Sequence, residues 1–251
     1  MINERWTITL HIARYQPGGT PRMQAFPLEV DPDENVLDAV ERVWAFHDRS
    51  LVFRHACHHS TCGACGMRVN GVEKLTCITP IRSVTRNGGA LRLEPLRNFP
   101  IAADLAVDMT PFYRALEEAG QMPVVPVSGS GLPYEQEGDL FPTDELPHER
   151  LSDCIECGMC VSACPISLTT SAYVGPAALA AAQTTHAVNG NPTLLEWADC
   201  TDGVWRCHSG FECSAVCPSN VDPAWRIMDL RKSVVGHRIR TLFGKKETAT
   251  R

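Results

Sequence analysis

The sequence predicts an α+β chain in two parts, a small mixed domain over residues 1–105 followed by an all-α domain over residues 106–251. Three observations carry this. Apolar residues in the first hundred positions recur with period two and then with helical period. Strand signals disappear beyond residue 148. Eleven of the twelve cysteines fall into two sets, one in each part.

The stretch from Trp6 to Arg14 alternates, with Ile8, Leu10 and Ile12 on one face, and Leu28 and Val30 close a second extended run after Met23. The chain therefore opens on a β-hairpin. The period then changes: Val36, Leu37, Val40, Val43 and Trp44 recur at helical spacing behind Asp33 and Asn35 as candidate N-caps, and this helix is expected to end near His47. A cysteine-bearing loop over residues 57–65 follows, then short strands around 67–69 and 91–94 separated by Asn-Gly and Asn-Gly-Gly turn signals. Thr110-Pro111 reads as the N-cap and first position of a helix that Gly120 stops and that bridges the two parts. Residues 121–148, rich in Pro, Gly and Ser, read as an extended linker or surface loop. Beyond them the Ala-rich stretch after Pro176, residues 193–197 and the run after Asp222-Pro223 are helical candidates.

Composition limits what the cysteines can be doing. A chain of 251 residues with 44% apolar content can bury real cores. A net charge of −6 and a pI near 5.8 argue against nucleic acid as a partner, because a phosphate-binding surface needs concentrated Lys and Arg. The N-terminus shows no secretory h-region, and the longest apolar run, residues 177–182, is far short of the roughly 20 residues that span a bilayer. The expectation is a chain soluble by itself in a reducing compartment, where grouped thiols bind metal rather than form disulfides.

Cys57, Cys62, Cys65 and Cys77 have the spacing C-x4-C-x2-C-x11-C, which contains the plant-type [2Fe–2S] signature. The short gaps let a tight loop wrap two irons, and Gly63 and Gly66 let the backbone approach the sulfides. A zinc site favours paired C-x2-C knuckles and has no use for the x4 gap. His55, His58 and His59 crowd the same loop; a Rieske-type cluster would use two histidines, but with four thiols present they read as polar loop residues.

Cys154, Cys157, Cys160 and Cys164-Pro165 form C-x2-C-x2-C-x3-C-P, the bacterial two-cluster ferredoxin run, whose fourth Cys ligates the other cluster. The partner run is Cys207 to Cys217-Pro218, with Gly210 where its second Cys would stand. Cross-ligation then sorts the thiols. Cys154, Cys157, Cys160 and Cys217 make a complete [4Fe–4S] cage, and Cys164, Cys207 and Cys213 make a three-ligand site whose simplest product is a [3Fe–4S] cluster. The leftover Cys200 reads as a buried small residue, the alternative being a fourth ligand that restores a cubane.

A plant-type [2Fe–2S] motif followed by a two-cluster run with a degenerate second half resembles the iron–sulfur subunit of succinate dehydrogenase and fumarate reductase. The likeness covers almost the whole chain, through Cys62-Gly-Ala-Cys65-Gly, Leu75-Thr-Cys77-Ile-Thr-Pro80, Asp104-Leu-Ala-Val-Asp-Met109, the run from Cys154 to Pro165, Trp205-Arg-Cys207-His, and Val221-Asp-Pro223. The resemblance implies a β-grasp plant-type ferredoxin domain and an α-helical bacterial-ferredoxin-like domain. It implies a flavoprotein partner carrying FAD and the dicarboxylate site of a tricarboxylic acid cycle enzyme, and membrane anchor subunits, with or without haem b, that bind quinone. The place implied is the cytoplasmic face of a prokaryotic plasma membrane, peripheral and held by the anchors.

Three clusters in one chain make sense as a fixed relay, since a diffusing carrier needs one. The implied route runs from flavin through [2Fe–2S], [4Fe–4S] and [3Fe–4S] to quinone, and Pro165, Arg206 and His208, beside the ligands of the last cluster, are candidates to approach the quinone or else ordinary neighbours of the motif. Two positions depart from the family pattern. The Trp that many ubiquinone-reducing relatives carry after the Cys-Pro is absent from residues 166–170, which leaves menaquinone as open as ubiquinone. The Arg that commonly follows the first cysteine is His58 here, a change that bears on the [2Fe–2S] potential. Eight Lys or Arg between Arg226 and Arg251 suit either a solvated helix face or anionic headgroups and acidic loops of a membrane subunit. The rival readings are an iron–sulfur subunit of a different flavin- or heterodisulfide-linked oxidoreductase, which would resemble the second half alone, and a structural zinc protein.

Overall fold

The structure is a computed structural model and describes residues 5–120 and 154–243. The predicted linker over 121–148 lies outside them, as does the end of the basic C-terminal stretch.

Strands β1 (Trp6–Arg14) and β2 (Arg22–Val30) pair antiparallel from Trp6 opposite Val30 to Arg14 opposite Arg22. Because successive side chains alternate faces, Ile8, Leu10 and Ile12 point into the core together with Phe26, Leu28 and Val30. Helix α1 (Val36–Phe46) lies over this face, burying Val36, Leu37, Val40 and Val43. Its start is fixed as the sequence suggests, for the Asp38 carboxylate accepts the Asn35 backbone N–H at 2.9 Å. Strands β3 (Gly66–Val69) and β4 (Val72–Leu75) form a two-residue hairpin, and Asn70-Gly71 turns it with φ of 50° and 87°, the left-handed pair such a turn requires. Strand β4 is not among the expected strands, since only five residues separate the turn from Cys77 and they carry no pattern of their own. Strand β5 (Ala90–Glu94) slots between β1 and β3, giving the sheet order β2-β1-β5-β3-β4 with β1 and β5 parallel. One helix packed over a mixed five-stranded sheet is the β-grasp layout expected.

A small ribbon of β6 (Ile101–Ala103) and β7 (Ala106–Val107) leads into α2 (Thr110–Glu118). Thr110 is the first helical residue rather than the N-cap; Asp108, whose carboxylate accepts the Thr110 N–H at 2.9 Å, satisfies the helix start instead. From here every regular element among the described residues is helical: α3 (Met159–Ala163), α4 (Pro165–Thr169), α5 (Pro176–Asn189), α6 (Pro192–Ala198), α7 (Glu212–Ala215) and α8 (Pro223–Phe243). Helix α5 is buried nearly all round from Ala177 to Thr184, because its run of alanines lets α2, α6 and α8 close on it. No helix among the described residues is long and apolar enough to cross a membrane.

Two cores result. The sheet core joins β1, β2, β3, β5 and α1 through aliphatic and Phe side chains. The second, larger core runs from Leu37, Cys65 and Cys77 through α2 and α5 to Ile227, Leu230 and Val234 of α8, and has cysteines within it.

Candidate metal centres

The first thiol group sits on the loop between α1 and β3. His58, Ser60 and Gly63 all adopt left-handed backbone angles, 61°, 64° and 67°, and this coiling turns successive N–H groups toward the sulfurs. The His59 N–H lies 3.5 Å from Cys57 Sγ. The Thr61 hydroxyl and that N–H together hold the Cys57 thiol down to about 5. Cys62 stands beside Cys57 and is exposed. Cys65 and Cys77 form the deeper pair, both buried, and burial pushes Cys77 up to about 11 with Cys65 adding to it. The structure thus brings the four predicted thiols together, two near the surface and two below.

The second group is partly buried. Cys154, Cys157, Cys160 and Cys217 line one small cavity of about 30 Å³, walled by Phe112, Ile155, Ala177, Ala180 and Val221. Burial is the main cause that raises the Cys154 and Cys157 thiols, the latter to about 12, and it drives Cys160 well above its ordinary value; neighbouring thiolates add to each shift. Among the described residues no Lys or Arg lines the cavity, so four thiolates there need a cationic core to offset their charge, which a [4Fe–4S] cluster provides.

Cys164, Cys207 and Cys213 converge as the third group. Burial pushes the Cys213 thiol up to about 12, and the charges of Cys164 and Cys207 add to it. Tyr173, a residue that spacing arguments passed over, is buried beside all three sulfurs with its hydroxyl hydrogen-bonded to Cys207, and its own ionisation is strongly suppressed by burial. Arg231 of α8 holds this loop by donating to the Val204 carbonyl at 2.7 Å and to the Cys207 carbonyl. At Gly210 a Cβ would collide with the Glu212 carboxylate, so that carboxylate fills the place where a fourth cysteine's side chain would begin. Three thiols without a fourth suit a [3Fe–4S] cluster.

The three groups touch in sequence. Gly63 packs so closely on the second loop that a Cβ there would lie 2.7 Å from both Cys157 Cβ and the Ile155 carbonyl; its missing side chain therefore serves the contact between loops as well as backbone approach to a cluster. Helix α3 then carries Cys160 and is capped by Cys164, four residues and about 6 Å further along. The first part of the chain clasps that helix. Asn98 Nδ2 donates to the carbonyls of Val161 at 2.7 Å and Cys164 at 3.2 Å, and the Ser162 hydroxyl donates to Glu73 at 2.7 Å.

The remaining predicted residues scatter. Arg206 and His208 line a surface hollow of about 560 Å³ with Asp199, Trp205 and Arg238, while Pro165 begins α4 apart from it. Arg206 is ion-paired to Asp202 at 2.6 Å and His208 is exposed. Cys200 is exposed too, contrary to its reading as a buried small residue, because it sits on the turn that follows α6 and opens into the same hollow. His55 and His58 meet Glu41 of α1, a residue no spacing rule connects to them.

Residues 9–114 match the family described as "2Fe-2S iron-sulfur cluster binding domain", and residues 150–221 the one described as "4Fe-4S dicluster domain". The chain is 31% identical over 243 residues to the fumarate reductase iron–sulfur subunit of Mycobacterium tuberculosis, covering 94% of this chain and 96% of that one. It is 32% identical to the same subunit of Haemophilus influenzae, covering 86% and 89%, and 28% identical to a mitochondrial succinate dehydrogenase [ubiquinone] iron–sulfur subunit of Oryza sativa subsp. japonica, covering 86% and 70%. In fold it is similar to a chain of the Mycobacterium smegmatis Sdh1 complex in the apo form, with a TM-score of 0.74 at 22% identity over 94% of this chain and 98% of that one.

Proposed function

The chain belongs to the family of fumarate reductase and succinate dehydrogenase iron–sulfur subunits, and from that premise we propose that it relays electrons between a flavoprotein subunit that carries FAD and quinone bound by membrane anchor subunits. It is an electron-transfer subunit of an oxidoreductase complex with [2Fe–2S] and [4Fe–4S] domains. The finer assignment is ours: Cys57, Cys62, Cys65 and Cys77 hold a [2Fe–2S] cluster, Cys154, Cys157, Cys160 and Cys217 a [4Fe–4S] cluster, and Cys164, Cys207 and Cys213 a [3Fe–4S] cluster. When bound, these groups supply reversible one-electron exchange.

The observation that carries the reading is the abutment of the thiol groups, first to second across Gly63 and second to third along α3. The protein's own part is to fix those separations, exclude water from the inner two groups and set their potentials. The outer pair, half-buried Cys57 and exposed Cys62, suits the flavoprotein end. The other end suits the membrane. Beside the third group lies the hollow of His208 and Arg206, with His208 the better placed to meet quinone because Arg206 already has Asp202. The last turns of α8 expose Val235, Ile239, Leu242 and Phe243 along one stripe next to Arg240, a surface that fits an apolar, headgroup-level partner and supports a peripheral place at a membrane.

Isolating the complex by a tag on this chain tests the proposal. The expected result is a co-purifying flavin-bearing chain and a membrane-spanning chain, with EPR signals of all three clusters across the oxidised and the chemically reduced states. Recovery of zinc without acid-labile sulfide overturns it, as does recovery with a flavin-free partner.

A further inference from the structure

Outside the three thiol groups, Glu41 Oε1, His55 Nδ1 and His58 Nε2 form a close triangle, with sides of 3.0 Å from Glu41 to His55, 3.2 Å from Glu41 to His58 and 3.3 Å between the two rings. A tetrahedral zinc site with bonds of 2.0–2.1 Å has ligand-to-ligand edges of about 3.3 Å, so the triangle has the size of one face of such a site. Two imidazoles and one carboxylate are also a set that divalent transition metals take with positions left open.

The way the three groups meet points the same way. Glu41 Oε1 is buried, yet neither nearby ring presents an N–H aligned to it as a hydrogen bond. The two rings meet each other at 3.3 Å in hydrogen-bond geometry, a contact that a metal would replace, and the Glu41 oxygen beside them is left without a cation or donor, which is costly. Each ligand is held from behind. Glu41 stands on α1, whose opposite face is locked into the sheet core; His55 stacks on Phe53 with ring centroids 4.9 Å apart and planes at 19°; and the His58 backbone turns left-handed at φ 61°, setting its ring edge-on to His55 at 87°.

We propose that Glu41, His55 and His58 form a binding site for one divalent transition-metal ion of the zinc class, which ties the first cysteine loop to α1. The metal is bound without sulfur, and exposed sides of the two rings leave the remaining coordination positions to water. A dication there lies next to Cys57, so its occupancy also favours the more negative, reduced form of a cluster on that loop.

The test uses the full chain with its clusters loaded, one equivalent of Zn2+ and removal of loose metal by gel filtration. The expected result is one retained zinc per chain with iron and sulfide unchanged. Zinc K-edge absorption should give a first shell of nitrogen and oxygen near 2.0 Å rather than sulfur near 2.3 Å. Glu41→Gln and His55→Gln should each weaken retention by roughly 100-fold while leaving the cluster spectra in place. If a variant fails to load its clusters, the wild-type absorption spectrum decides by itself: a sulfur shell, or zinc gained only as iron is lost, overturns the proposal. So does retention that the two substitutions leave untouched.

Discussion

The two cores of this molecule are built from different materials. Among the described residues the sheet core contains no cysteine; it closes on Leu10, Ile12, Val40, Leu91 and their neighbours, all nearly inaccessible. The second core has thiols inside it, with Cys65, Cys77 and Cys164 buried in the cluster and Cys157, Cys160 and Cys207 packed against it. Hydrophobic burial alone completes the first, but the second places sulfur ligands where hydrocarbon would otherwise fill space, so its folding free energy includes that of its metal. On the proposed ligand assignment, the first core is closed by hydrocarbon and the second is completed by metal.

Removing the iron is the harshest way to break that comparison. Stripping the clusters with a chelator should abolish most amide-exchange protection in α5 and α8 while β1 and α1 keep theirs, as read residue by residue by hydrogen exchange. Equal loss in both halves would mean that the cores are not independent. Next in size is the seam between them. Gly63→Ala forces a side chain into left-handed backbone and onto Cys157, which should cost about 2–5 kcal/mol in thermal or denaturant unfolding and weaken magnetic interaction between the first two clusters. Ser162→Ala removes the hydroxyl that Glu73 accepts and that the Arg97 N–H donates to at 2.9 Å; a loss of about 1–3 kcal/mol is expected, confined to docking of α3.

Tyr173→Phe deletes the hydroxyl that donates to Cys207; since a donor to sulfur stabilises the reduced cluster, the potential of the third centre should fall by about 50 mV in a redox titration, the other two holding still. Acid should separate the halves least. Arg238 with Trp205 lowers the Asp199 carboxyl in the helical half, and Ser50 with Arg14 lowers that of Asp48 in the sheet half. Carboxyls held below their ordinary value stabilise at neutral pH and lose that contribution as pH falls below about 4, so the melting temperature of both halves should decline together there.

What was legible in the sequence was local or periodic. Alternation in β1, the Asn35–Asp38 start of α1 and Pro at the first turn of α5 and α8 act within a few residues, and they stand where they were expected. The cysteine sets were legible because ligand geometry imposes spacing. Contacts between distant segments carry no such mark. Nothing near Gly63 announces Cys157, nothing at Tyr173 announces Cys207, and Glu41 lies at irregular intervals from His55 and His58 because a helix and a loop supply them separately. Cys200 misled for a related reason: the preference of free cysteine for the interior is an average, and this one is carried outward by the turn after α6.

The central claim is that the third thiol group, with Gly210 in place of a cysteine and Glu212 over that gap, ends the relay in a three-iron cluster. Iron and sulfide analysis of the purified complex, combined with EPR of its oxidised state, tests this most directly. About nine irons and about ten sulfides per chain are expected, with a [3Fe–4S] signal that disappears on reduction. About ten irons with no such signal, showing a fourth iron held at the third site, would contradict it.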